Sequence, residues 1–279
     1  MRRSEDPPQF LTSAKAAALL GVSPSTIKRW VDDGTLRSER TAGGHRRIAR
    51  QVIEAFRRSA PRADEVRPPG GLGLLDLLLS SASSRELEAH LIAQRAGAAS
   101  VGVFADSIGE TLQEMGTRWA RGELAIADEH IASERLARAL ARLAEWTPTR
   151  VGAPIALLAA AAADEHTLGL SLAELCLREV GWDTRWVGRR TPTLALVELI
   201  ERQRPRVRLV ALSASVVSSD SATLAHDAAL VAAACRSVSA VLVLGGDGAW
   251  PEHPRSARRV RSLVELEQVA RKSLGSEPG

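Results

Sequence analysis

The chain of 279 residues has no tyrosine, three phenylalanines, three lysines, two methionines and two cysteines. Two cysteines exclude a disulfide framework. Cys176 and Cys235 both sit in apolar helical patterns and read as small buried hydrophobes of a reducing compartment. No stretch of about 18 uninterrupted apolar residues occurs, so no membrane-spanning helix is expected. The opening MRRSEDPPQF lacks the apolar core of a signal peptide, and a cytoplasmic location is expected. The shortage of lysine makes 34 of the 37 basic residues arginine. Coding bias produces the same excess, so arginine number alone does not indicate nucleic acid.

What is present is globular: 45% hydrophobic and 25% charged residues, with a net charge of +4. The charge is uneven. Residues 1–67 carry 14 basic and 8 acidic groups, a net of +6, and the remainder carries 23 and 25, a net of −2. Positive charge gathered at one end suggests an acidic partner there. The segment from Ser59 to Gly73, SAPRADEVRPPGGLG, cannot bury enough apolar area to pack and reads as a linker. The domains expected are 1–59, a linker at 60–71, 72–150 and 151–279.

In the first domain, Thr12 or Ser13 caps a helix containing Ala16, Ala17, Leu19 and Leu20, stopped by Gly21. Ser23 and Pro24 open a second helix by the cap-then-proline rule. Ile27, Trp30 and Val31 are its buried stripe and Gly34 its stop. Two short helices about a tight turn at Gly21-Val22 make a helix-turn-helix, whose second helix enters the DNA major groove. Its outward residues are Ser25, Thr26, Lys28 and Arg29. A hairpin follows from Leu36 to Ile48, turning at Gly43-Gly44. A third helix from Ala49 to Arg58 closes the core with Val52, Ile53 and Phe56. The run LLGVSPSTIKRWVDDGTL followed by TAGGHRRI resembles the MerR family of winged-helix regulators over residues 9–59. The resemblance places Arg40, His45, Arg46 and Arg47 of the wing against the phosphate backbone and leaves base reading to the second helix. Phosphate contacts supply affinity without specifying sequence.

The second domain reads as a four-helix bundle: Leu72–Leu79, a helix from Arg85 to Ala96 capped by Ser84, Val101 to Ala120, and Glu123 to Trp146. The last helix has a stripe of Ile126, Glu129/His130, Ser133, Leu136/Ala137, Leu140 and Leu143. Glu129 and His130 stand where apolar residues belong, and burying them is costly without partners. Trp119, at the end of the preceding helix, is expected beside them. A flat aromatic near two polar groups either roofs a ligand or is an ordinary core tryptophan.

From Pro154 strands alternate with helices. Ile155–Ala161, Thr184–Val187, Val207–Leu212, Ala240–Leu244 and a short Arg259–Val260 read as strands. Helices are expected at Thr167–Val180, Thr193–Gln203, Asp220–Ser237 and Leu263–Lys272. This is a doubly wound α/β domain, which binds ligands beyond the carboxyl ends of its strands. No phosphate-binding glycine fingerprint follows its first strand, so nucleotide binding is not favoured. That loop instead presents Asp164-Glu165-His166-Thr167-Leu168-Gly169. A neutral imidazole donating its second N–H to a carboxylate is a metal ligand in a fixed tautomer. No further His or Cys stands near to complete a tetrahedral zinc site. One protein ligand suits a metal already held by a macrocycle.

Asp-x-His-x-x-Gly, then serine after the third strand, then Gly-Gly after the fourth, resembles the base-off cobalamin-binding domain, a flavodoxin-like fold. The resemblance makes His166 the lower cobalt ligand and Asp164 its orienter. It lines the channel for the cofactor's nucleotide tail with Ser213 or Ser215, Gly169, Gly245 and Gly246. Taken whole, winged helix, four-helix bundle and cobalamin domain resemble the CarH/CarA/LitR group of cobalamin-dependent transcriptional regulators over residues 10–270. That group's bundle carries Trp, nine residues, then Glu-His, matched by Trp119, Glu129 and His130. The resemblance has these cap the upper corrin face, typically against a 5′-deoxyadenosyl ligand. One departure is plain. Light-sensing members place a histidine directly after the tryptophan, where it takes the upper cobalt position after photolysis. Here Ala120 stands there, without a donor atom. His90, in the second bundle helix, is a candidate substitute.

The function expected is a DNA-binding transcriptional regulator, a repressor, that is not an enzyme. It would bind double-stranded operator DNA as a homo-oligomer, dimer or tetramer, with no membrane partner. Its vitamin B12 cofactor would be adenosylcobalamin, with methyl- or hydroxocobalamin as alternatives, and photolysis would make it a photoreceptor. The rivals are a corrinoid methyl carrier and a DNA-binding regulator whose α/β domain binds a protein without cofactor.

Overall fold

The computed structural model describes residues 10–20, 27–28, 31, 36–40, 46–58, 73–147, 149–216 and 220–275. They fall into two compact units, Met1–Ala99 with Glu145–Pro148, and Ser100–Ala144 with Thr149–Gly279.

The first unit opens with β1 (Phe10–Leu11) and α1 (Ser13–Leu20), followed by β2 (Glu39–Arg40), β3 (Arg46–Ala49) and α2 (Arg50–Arg58). Thr12, rather than Ser13, caps α1: its Oγ1 accepts from the Lys15 N–H at 3.3 Å. β2 and β3 are the antiparallel arms of the expected hairpin, with Arg40 opposite Arg46. β1 adds to the other edge of β3. It went unforeseen because a two-residue strand has no periodicity to show. Leu11, Ala16, Ala17, Ile27, Leu36, Ile48 and Ile53 form the buried core. Leu19, expected in the apolar run, is exposed instead. The helices α3 (Leu74–Leu79) and α4 (Ser84–Gly97) follow. The cap of α4 is Ser83, not Ser84. Ser83 Oγ accepts from the Glu86 N–H, and the Glu86 carboxylate accepts from the Ser83 N–H at 2.7 Å, the reciprocal box that places a serine three residues before a glutamate.

The second unit begins with α5 (Val101–Ala120) and α6 (Ile126–Glu145). The latter starts three residues later than expected, because Gly122 turns the chain at φ +71 and residues 123–125 stay outside the helix. There follow β4 (Ile155–Ala160), α7 (Leu168–Val180), β5 (Asp183–Gly188), α8 (Thr193–Arg202), β6 (Val207–Ser213), α9 (Ser221–Ser237), β7 (Val241–Gly245), β8 (Arg258–Arg259) and α10 (Leu263–Gly275). All five strands are parallel, in the order β5-β4-β6-β7-β8. Every residue of β4 is buried, as befits a central strand covered on both faces. Helices α8 and α9 cover one face of the sheet, and α7, α10 and α5 lie on the other side. Cys176 and Cys235 are buried and not joined in a disulfide. Burial pushes the Cys235 thiol up to about 12, which makes it an inert hydrophobe.

Helices α5 and α10 cap one another. Glu267 of α10 accepts from Ser100 Oγ at 2.7 Å and from the Gly102 N–H at 2.8 Å, at the start of α5. Asp106 of α5 accepts from the Leu263 and Val264 N–H groups, at the start of α10. Each carboxylate satisfies orphan donors of the other helix and sits at its positive end. A methyl group on Gly102 would lie 2.7 Å from both Glu267 Oε2 and Val264 Cα, so only glycine allows the approach. Burial opposes ionisation of Glu267, but hydrogen bonds from Ser100, Arg271 and Gly102 outweigh it and hold the carboxyl below its ordinary value of 4.5. A depressed carboxylate stabilises the fold fully above its unfolded pKa and loses that contribution as pH falls through the native one. Glu267→Ala should therefore cost about 2 kcal/mol at pH 7. The deficit in urea denaturation should shrink below pH 4.5.

Candidate functional site

The sheet reverses its winding between β4 and β6, the crevice where doubly wound folds hold ligands. The loops leaving these two strands meet there. Asp164, 1% exposed, lies in the loop after β4 and makes its contacts in both directions. Its Oδ1 accepts from the His166 N–H at 2.8 Å and lies 2.9 Å from His166 Nδ1. Its Oδ2 accepts from the Ser215 N–H of the loop after β6. Ser215 Oγ donates to Asp164 Oδ1 at 3.2 Å and stands 3.1 Å from His166 Nδ1. Burial works against ionisation of Asp164, yet the N–H groups of His166 and Ser215 and the His166 ring prevail and hold the carboxyl below the usual range.

A buried carboxylate at Nδ1 fixes the imidazole tautomer with its lone pair on Nε2. The His166 side chain is 68% exposed, and Nε2 has no partner among the described residues. A ring so held is arranged to give Nε2 to a metal. Among the described residues no group of three or more His, Cys, Asp or Glu could enclose a bare ion. Beside the ring, the Glu165 carboxylate pairs with Arg190 at 2.9 Å.

The glycines divide by role. A Cβ on Gly169 would find only Ser213 Oγ at 4.0 Å, and one on Gly245 only Val260 at 3.9 Å. Both border open space. Gly246 does not: at φ +76, its Cβ would lie 2.3 Å from the Ala214 carbonyl oxygen and 3.0 Å from Ser213 Oγ. It is glycine because the loops after β6 and β7 press together. Ser213 thus belongs to the space between Gly169 and Gly246, whereas Ser215 belongs to the Asp164–His166 pair. The sequence motif left these two serines interchangeable.

Trp119 is in the last turn of α5, and Glu129 and His130 are in the first turns of α6, with five residues between the helices. The expectation of a buried stripe through them is corrected. Ile126 is 60% exposed, Trp119 49% and the His130 side chain 74%. The core side of α6 begins at Ala132 and Leu136. Glu129 needs no distant partner, since Ser133 Oγ donates to it at 2.6 Å one turn on. Trp119, Ile126 and His130 are therefore exposed, and Glu129 is bonded within its own helix.

In the first unit Lys28 is helical and exposed, and Arg46 and Arg47 are half-buried on β3. Arg40 faces Arg46 in backbone register. Ser25, Thr26, Arg29 and His45 lie outside the described residues, as does the turn at Gly43-Gly44.

Comparison with known proteins gives two family matches. Residues 10–61 match the helix-turn-helix domain family, and residues 84–144 match the B12 binding domain family. The chain carries a helix-turn-helix domain and a B12-binding domain. The second match spans Trp119, Glu129 and His130. A monomethylamine corrinoid protein of Methanosarcina barkeri has a similar fold, with TM-score 0.54 and 16% identity over 71% of this chain and 95% of that one. A cobalamin-binding protein of Desulfitobacterium hafniense DCB-2 aligns with TM-score 0.37 and 16% identity over 94% and 98% of the two chains. The methanol:cobalamin methyltransferase complex MtaBC of Methanosarcina barkeri gives 0.39 and 11% over 91% and 93%. No curated protein sequence matches the chain. Among the described residues no helix is long and apolar enough to cross a membrane.

The residues fit a corrinoid. His166 presents an exposed imidazole whose Nε2 could reach a metal, a Cβ on Gly169 or Gly245 would meet nothing closer than 3.9 Å, and Trp119 and Ile126 are exposed.

Proposed function

We propose that this B12-binding protein is a cobalamin-controlled, DNA-binding transcriptional regulator, a repressor. The observation that carries it is the Asp164–His166–Ser215 cluster at the switch point, joined in one chain to a helix-turn-helix domain. His166 binds the cofactor metal through Nε2, and Asp164 holds the ring in the required tautomer. Ser213, Gly169 and Gly245 border the path of the nucleotide tail. Trp119, Glu129 and His130 would cover the bound corrin. Bound adenosylcobalamin supplies a cobalt–carbon bond that light can break. Lys28 with Ser25, Thr26 and Arg29 enters the major groove, and Arg40, His45, Arg46 and Arg47 meet phosphates. The cofactor acts by linkage: whichever cofactor state packs or oligomerises the chain differently shifts operator affinity by the same free energy. Two copies would place two such domains on two half-sites.

A corrinoid methyl carrier shares the bundle and the α/β domain, but the helix-turn-helix domain has no part in methyl transfer. A domain retained only for protein contact would not need a buried carboxylate behind an exposed imidazole.

Absorbance spectra of the purified protein mixed with adenosylcobalamin test the cofactor, and gel-shift assays in darkness and after illumination test the regulation. A protein that takes up no corrinoid at micromolar concentration is not this regulator. The light response has a specific expected form. Ala120 is the last residue of α5 and ends in a methyl group, so illumination should give no spectrum with imidazole on both sides of cobalt. Its appearance would show that another histidine, with His90 first in line, reaches the upper face.

A further inference from the structure

The short strand β8 brings Arg259 alongside Leu244 of β7, at the end of the sheet where β7 runs into Gly245-Gly246. Its guanidinium binds that turn and the neighbouring Val260 carbonyl. Nη2 donates to the Gly246 carbonyl oxygen at 2.6 Å. Nη1 donates to the Leu244 and Val260 carbonyl oxygens at 3.3 and 3.2 Å. The intervening carbonyl, of Gly245, accepts from Trp250 Nε1 at 2.8 Å. Three successive carbonyls at the end of β7 are therefore held by two side chains. The third loop contact comes from Gly248, whose N–H donates to the Ala214 oxygen at 2.8 Å.

Two consequences follow. The turn is fixed in place, although Gly245 and Gly246 are the residues least able to fix it themselves. The carbonyl dipoles are also neutralised, and a positive guanidinium stands behind them. Asp247, Glu252 and Glu265 act on the same guanidinium, so its effect on an approaching anion is to occupy carbonyls that would otherwise repel it, not to add a bare positive charge. The nucleotide tail of cobalamin carries such an anion, a phosphodiester, and the corrin ring itself does not.

We propose that Arg259 is a positioning residue for the nucleotide tail, setting the Gly245–Gly246 turn and occupying its carbonyls so that tailed corrinoids are preferred over tailless ones. This rests on the cofactor assignment above and names the part of the cofactor that β7 and β8 recognise.

The test compares adenosylcobalamin with cobinamide, which has the corrin ring but no nucleotide tail. Both are titrated by absorbance into the full chain and into Arg259→Gln and Arg259→Lys. The wild type should bind both, and cobalamin more tightly. Arg259→Gln should lower cobalamin affinity by about tenfold and leave cobinamide affinity within about twofold, as loss of a charged, forked donor predicts. Arg259→Lys, which keeps the charge but not the fork, should recover part of the loss. Equal weakening toward both corrinoids would make Arg259 a structural residue only, and no weakening toward either would remove it from the site; each overturns the proposal alone. A wild type that binds neither corrinoid overturns the cofactor assignment, and this proposal with it.

Discussion

His166→Ala should reduce cobalamin affinity by about a hundredfold or more, and the absorbance bands of any residual complex should shift. The expectation follows from how little else can hold the metal. Groups that only orient a metal ligand through hydrogen bonds are commonly worth about 10–100-fold, and loss of the ligand itself should cost at least the upper end of that range. The described residues offer no cluster that could replace it. The side chain is 68% exposed and bears no packing load, so melting temperature should stay near that of the wild type. Affinity lost without stability lost is the signature of a ligand. Unchanged affinity and spectrum in the variant would refute the assignment, and the cofactor would have to be held by shape alone.

Gly246→Ala should be the most destabilising single methyl group in the α/β domain. Two independent costs add. A left-handed φ of +76 disfavours any residue with a Cβ, by about 1–2 kcal/mol. The new carbon would also lie 2.3 Å from the Ala214 carbonyl oxygen, which is backbone and cannot rotate away. Separating the two loops would pull on the Gly248 to Ala214 hydrogen bond as well. Together these should lower unfolding free energy by about 3 kcal/mol or more in urea titrations. Gly169→Ala is the control. Its Cβ meets nothing closer than Ser213 Oγ at 4.0 Å and it sits in the first turn of α7, so stability should hold or rise slightly. Cobalamin affinity should nonetheless fall, because the added methyl fills space the cofactor needs. If Gly169→Ala leaves binding intact, the space beside Ser213 is not part of the cofactor path.

The two glycines show what a motif can and cannot say. Both stand at positions where the resemblance to cobalamin-binding domains predicts glycine. Gly169 leaves room, whereas Gly246 is packing, and the letters are the same. The serines divide likewise, Ser215 to the histidine and Ser213 to the glycines. Spacing cannot separate two serines on consecutive same-face positions; the hydrogen bonds of Asp164 do.

The sequence by itself determined the element order and most boundaries. Central strands buried on both faces are continuous apolar runs, helices end at glycine or begin at capping residues, and these are local properties of the chain. The uneven charge and the Asp164–His166 spacing are local too, which is why the basic head and the hydrogen-bonded Asp164–His166 pair were legible. Tertiary structure decided everything that depends on residues far apart in the chain. It set the exposure of Trp119 and Ile126, since burial of a stripe depends on what lies across from it. It paired β1 with β3 and crossed the caps of α5 and α10 through Glu267 and Asp106. It also placed Arg259 behind Gly246. That arginine stands thirteen positions along the chain from its glycine. Neither has any periodicity that points to the other, and only the parallel pairing of β8 with β7 brings the guanidinium to the turn.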